Sequence, residues 1–93
     1  MMLRDIYSEL LLLRVIEEES DPRLGGFCQS TVAQIAAKTK AGAESARRLL
    51  ARLAERGEIE TINKRAYVTA RRITARGVER RNEEMKRLFG DLL

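Results

Sequence analysis

The sequence predicts a mainly α domain with a small β-hairpin, 93 residues in a single unit. Three observations carry this reading. Apolar residues recur at helical spacing over residues 3–19 and again over 32–56, and alternation with β-branched residues takes over at 58–69. A threonine-capped helical pattern then resumes and runs from 75 to 92. A chain this short buries one modest core and has no room for a second, so residues 1–93 are read as one domain.

The first helix, 1–19, has Leu3, Ile6, Tyr7, Leu10, Leu13 and Ile16 at i, i+3, i+4 spacing. Leu11, Leu12 and Val15 spread apolar surface around more of its circumference than one stripe needs. Cover on more than one side is therefore expected, part of it from a second subunit. Ser20-Asp21-Pro22 ends the helix, because the residue before a proline is pushed out of the α region, and Gly25-Gly26 extends the break. Residues 20–29 read as a loop with one short strand around Phe27, and Cys28 as a small buried apolar residue.

Thr31 and Gln34 have capping-box spacing, which starts a helix over 32–39 with Val32, Ile35 and Ala36 facing inward. Lys40-Ala41-Gly42 breaks it. A further helix follows over 43–56, with Ala46, Leu49, Leu50 and Leu53 as its apolar stripe and Gly57 as its C′ residue. Ala36 and Ala37 are small enough for these two helices to cross closely.

Glu58 to Ile62 and Ala66 to Thr69 are expected to pair as a hairpin around a turn at Asn63-Lys64-Arg65 within 58–73, although no Asn-Gly or Asp-Gly fixes that turn. Thr74 caps the last helix, 74–93, whose first turn is weakened by Gly77. Val78, Met85, Leu88, Phe89 and Leu92 share one of its faces as a short heptad seam interrupted by Arg81. With Leu11, Leu12 and Val15, these residues are the expected dimer interface.

Composition narrows the function. The chain has no histidine and one cysteine, which excludes an internal disulfide and the common zinc and haem arrangements. The same poverty removes most nucleophiles and bases, and the carboxylates show no paired spacing, so no catalytic residue, metal or cofactor is expected. The N-terminal apolar run is broken by Tyr7, Ser8, Glu9 and Arg14, so it is expected to be neither a signal peptide nor a membrane span, and the protein to be cytoplasmic. The net charge of +4 is unevenly shared. Residues 1–37 carry three bases against six acids, while residues 38–93 carry fifteen against eight. A basic half on a small domain points to a polyanionic partner.

The stretch Thr31-Val32-Ala33-Gln34-Ile35-Ala36 through Leu49-Leu50, Leu53 and Gly57 to Ile59 resembles the helix-turn-helix of winged-helix regulators. Ile73-Thr74-Ala75-Arg76-Gly77 is similar to the Leu-Thr-x-x-Gly that closes the wing in MarR-like and PadR-like regulators. Together these matches cover residues 31–77. The chain departs from the pattern twice: Gly42 stands where the recognition helix usually begins with Ser or Thr, and Lys40 stands where the turn glycine belongs. The resemblance implies a winged helix-turn-helix with a C-terminal dimerisation helix, binding double-stranded DNA as a homodimeric, repressor-like transcriptional regulator.

It further implies that the helix at 43–56 enters the major groove with Ala43, Glu44, Ser45, Arg47, Arg48 and Arg52 outward. Arg47 and Arg48 are then the base readers, since a guanidinium bonds bidentately to guanine O6 and N7. Ser45 serves base or phosphate, and Glu44 either accepts from cytosine N4 or repels the backbone. Lys38, Lys40 and Arg52 become phosphate contacts. Lys64 and Arg65 at the hairpin tip reach the minor groove or flanking backbone, and Arg71 and Arg72 add to the same surface. Residues 38–72 hold ten bases and four acids, which favours DNA over a protein partner. A winged-helix protein-interaction module and an architectural binder that coats DNA without preference remain open alternatives. No motif specifies an operator or a small-molecule effector.

Overall fold

The computed structural model describes the backbone at residues 3–65 and 68–90, and side chains at 4–62 and 70–90. Its elements run α1 (Leu3–Glu18), a 3-10 turn (Pro22–Leu24), α2 (Val32–Thr39), α3 (Ala43–Glu55), β1 (Ile59–Arg65), β2 (Val68–Ile73) and α4 (Ala75–Phe89). This is the mainly α architecture with one hairpin that the sequence predicts.

Helix α1 is the hub. It touches α2, α3, β2 and α4, so apolar residues around most of its circumference are covered within the one chain. Leu12, Leu13 and Ile16 are wholly buried, and they meet Ile35 of α2, Leu49 and Leu53 of α3, and Ile59 of β1 in a single core. This corrects part of the expected dimer surface: Leu12 is 0% exposed and Val15 8%, because four elements of the same subunit pack on a 16-residue helix. Cys28 is a buried free thiol in that core, as its chemistry suggested.

The loop after α1 is tied down in two places. Asp21 pairs with Phe27 as an isolated bridge, and Cys28 pairs with Arg71, so the short strand expected around Phe27 exists as a single rung on the free edge of β2. Strands β1 and β2 are antiparallel, in a register from Ile59 opposite Ile73 to Arg65 opposite Val68, with an irregularity between Asn63 and Arg65. The expected turn at 63–65 is therefore corrected. These residues continue β1, the irregularity absorbing the extra one, and Ala66 and Tyr67, expected to begin the second strand, lie outside the described residues.

The last helix starts where Thr74 accepts from the Gly77 amide at 3.0 Å. The same hydroxyl donates to the Gly57 carbonyl at 2.7 Å, and the Thr74 amide donates to the Glu58 carbonyl at 3.0 Å, so one residue joins the cap of α4 to the entry of β1. Leu92, expected on the seam, lies outside the described residues. Among the described residues no helix is long and apolar enough to cross a membrane.

Candidate nucleic-acid interface

The exposed surface of α3 depends on how α2 and the turn deliver it. Thr31 and Gln34 form the full capping box: the Gln34 amide donates to Thr31 Oγ1 at 3.1 Å, and the Thr31 amide to Gln34 Oε1 at 2.9 Å. At the other end Lys40 takes the left-handed conformation, φ 57°, that a glycine would adopt without strain. Gly42, two residues on, is in ordinary extended geometry and caps α3 with no side-chain bond. The residue types at these two positions are thus the reverse of what the backbone favours. Ala36 is buried where α2 meets α3, whereas Ala37 is exposed and takes no part in the crossing.

Ala46, Leu49, Leu50 and Leu53 pin α3 to the core, leaving Ala43, Glu44, Ser45, Arg47 and Arg48 exposed along its outer side. Arg52 is different. It is half-buried, its Nη1 lies 3.6 Å from Asp5 of α1 without a hydrogen bond, and it is turned toward the first helix.

Internal carboxylates occupy many of the basic residues that the sequence offers. Lys38 pairs with Glu19, Arg47 with Glu44 at 2.6 Å, and Arg72 with Glu60 at 2.9 Å. Arg72 also donates to the Gly25 carbonyl at 2.8 Å and lies 4.4 Å over the Phe27 ring, which makes it a clamp on the loop. Among the described side chains of 38–72, Lys40, Arg48 and Arg71 have no carboxylate in ion-pair range. The side chains of Lys64 and Arg65 lie outside those described. Arg71 sits beside Ser30, to whose carbonyl it reaches at 3.4 Å, and burial pushes its guanidinium below the ordinary value, outweighing the opposing influence of nearby Cys28.

Behind this surface stands a ring of charge that sequence reasoning missed. Glu9 of α1, 0% exposed, accepts from Arg56 and from Arg80 of α4, each at 2.7 Å. Glu58 accepts from Arg80 at 2.7 Å and lies 3.3 Å from Arg56 Nε, an alignment too poor for a hydrogen bond. Burial alone would lower the Arg80 guanidinium, but the hydrogen bonds and charges of Glu9 and Glu58 outweigh it and hold it above its ordinary value. The ring locks the end of α3 and the root of the hairpin to α1 and α4. One signal was present: Glu9 falls on the inward stripe with Ile6, Leu13 and Ile16, where an unpartnered acid would be costly.

On the opposite side of α1, Tyr7 and Leu11 line an open groove of about 740 Å³ with Met85 and Phe89 of α4. Tyr7 is 51% exposed and Met85 38%. Of the remaining seam residues, Val78 and Leu88 are half-buried. Arg81 bonds Glu17 at 2.5 Å across the groove, which accounts for the charged interruption of the seam. Among the described residues no group of three or more His, Cys, Asp or Glu side chains is placed to hold a metal ion.

No family profile and no curated protein matches the chain by sequence. Solved structures do match its fold. Lactococcus lactis ZitR, as a cysteine-to-serine mutant in complex with DNA, aligns over 91% of this chain with a TM-score of 0.60 and 19% identity. A second structure of Lactococcus lactis ZitR, described as a zinc-responsive MarR family member, aligns over 91% with a TM-score of 0.58 and 17% identity. The chain spans 57% and 58% of the length of those two chains. The shared fold is the winged helix-turn-helix.

Proposed function

We propose that this protein binds double-stranded DNA through α3 and the hairpin and acts in the cytoplasm as a sequence-specific, repressor-like transcriptional regulator. The observation that carries the reading is the outer side of α3. In a fold whose neighbour is DNA-bound, it presents Arg48, with no carboxylate partner among the described residues, next to Ser45 and Arg47, on a helix held from behind. Lys40 at the turn and Arg71 beside α2, neither with a carboxylate partner among the described residues, supply charge for phosphates, and the ion pairs of Lys38 and Arg52 make those two weaker contributors. Selection from a random duplex pool at two salt concentrations tests this. An enriched motif supports sequence-specific regulation; salt-sensitive binding without a motif means an architectural binder; no binding moves the protein-interaction reading to first place.

The acting species in this proposal is a homodimer that covers the groove of Tyr7, Leu11, Met85 and Phe89. Exposed apolar side chains gathered on two adjacent helices support it. The motif should then be an inverted repeat with half-sites about one helical turn apart. Light scattering should show a dimer that Met85→Glu converts to monomer, and a parent chain that is monomeric at working concentration would refute it. The zinc response of the second neighbour does not carry over: the chain has no histidine, and its one cysteine is buried in the core.

A further inference from the structure

We infer that Glu44 sets sequence specificity by exclusion: at the one base its carboxylate faces from the start of α3 it admits cytosine or adenine, whose exocyclic amino group donates to it, and rejects guanine or thymine, which offer only acceptors there. This rests on the reading of α3 as the helix that enters the major groove. Glu44 is the second residue of α3, and its side chain is 91% exposed. It caps nothing, since the N-cap position of α3 has no side-chain bond, and its one ionic partner among the described residues is Arg47, one turn on and itself 60% exposed.

So open a pair adds little to folding, because water screens it and two long side chains are immobilised to form it. Its effect is felt when a duplex arrives. In the major groove only adenine N6 and cytosine N4 donate hydrogen bonds, while guanine O6 and N7, adenine N7 and thymine O4 accept them, and the phosphates flanking the groove are anionic. A carboxylate pressed against an acceptor loses its hydration and gains nothing, whereas against an amino group it is repaid. Without an acid, α3 would be drawn to every duplex through its phosphates, with its arginines alone to discriminate. With Glu44 in place, sequences with guanine or thymine at the base it faces carry a penalty and those with cytosine or adenine there escape it, a repulsive element that raises discrimination at the expense of general affinity. The same carboxylate holds Arg47 at 2.6 Å and so restrains it from the nearest phosphate.

The test is fluorescence-anisotropy titration of the full chain and its Glu44→Gln variant. The duplexes are the selected site and a scrambled duplex of equal length, each across a range of salt. Glu44→Gln should bind the scrambled duplex several-fold more tightly, reduce the selected-to-scrambled ratio about tenfold, and steepen the log–log salt slope by about one as the released Arg47 takes a phosphate. Glu55→Gln removes the same charge from an exposed position at the far end of α3 and should leave the ratio unchanged. An unaltered ratio and slope in Glu44→Gln, or an equal change in Glu55→Gln, overturns the inference while leaving DNA binding intact. A parent chain that binds but selects no motif overturns it together with sequence-specific regulation while leaving DNA binding by α3, and a parent chain that binds no duplex overturns the whole reading beneath it.

Discussion

Gly77 lies against the carbonyl oxygen of Glu58 so closely that no side chain fits between them: a Cβ built on Gly77 would collide with that oxygen and come within 2.9 Å of Ile73 Cγ1. The oxygen is backbone and already accepts from the Thr74 amide, so it has nowhere to retreat. Gly77→Ala should therefore destabilise the domain by about 2–3 kcal/mol, read as a lower urea midpoint at unchanged slope. A midpoint equal to the parent's would mean that the first turn of α4 can lift off the hairpin root at no cost. By sequence Gly77 counts as a weakness of its helix; in the fold it is the condition for docking it.

Loss of one ring member should be severe. Glu9→Ala leaves Arg56 and Arg80 facing the single carboxylate of Glu58 and should cost about 3–5 kcal/mol, a large part of what a domain of this size has. The loss should persist in high salt, because Glu9 is shielded from solvent. Because Arg80 is held above its ordinary value, its share of stability is fully present at every pH below the ordinary arginine range and is lost only above it. By contrast, Glu18→Ala, which breaks an exposed pair with Arg14, should leave the midpoint where it is. A mild Glu9→Ala would show that water, and not the two arginines, solvates that carboxylate.

The turn before α3 invites improvement. Lys40→Gly relieves a left-handed non-glycine residue and should add about 1 kcal/mol, a rise of about 4–8 °C in Tm for a domain of this size. Gly42→Ser has open space around the new side chain and should add a few tenths of a kcal/mol by capping α3. Differential scanning calorimetry of the two single variants and the double variant checks both, and a Tm lowered by Lys40→Gly would mean that this side chain holds the turn by contacts outside its backbone.

Base and phosphate contacts should separate by their sequence dependence. Arg48→Ala should cost about 1–3 kcal/mol on the selected site and relax preference at one base pair. Lys64→Ala should weaken all duplexes alike and flatten the salt slope by about one. Equal, sequence-independent losses in both would remove Arg48 from base readout.

Much of the fold was legible because its punctuation is local. Thr31 and Gln34, Gly57, and Thr74 each act within a turn of themselves, and the helices they bound lie within a residue or two of their expected starts. The hairpin connection was misplaced because no turn signature marks it and an irregularity at Asn63–Arg65 shifts the count. Leu12 and Val15 read as surface because periodicity reports how wide an apolar stripe is, and cannot say whether the same subunit covers it. The charges were hardest. That Arg52 meets Asp5, or Arg80 meets Glu9 across 71 positions, is a fact of packing, so a count of ten bases overstated the positive surface open to a partner.

The ring has a consequence for ancestry. Each of its four members answers to two others of opposite sign, so a lineage cannot exchange one and keep a stable protein for long. Glu9 and Glu58, Arg56 and Arg80 must be inherited or abandoned together. Descendants should fall into two groups, those with all four and those with an apolar set in their place, with few intermediates surviving between them.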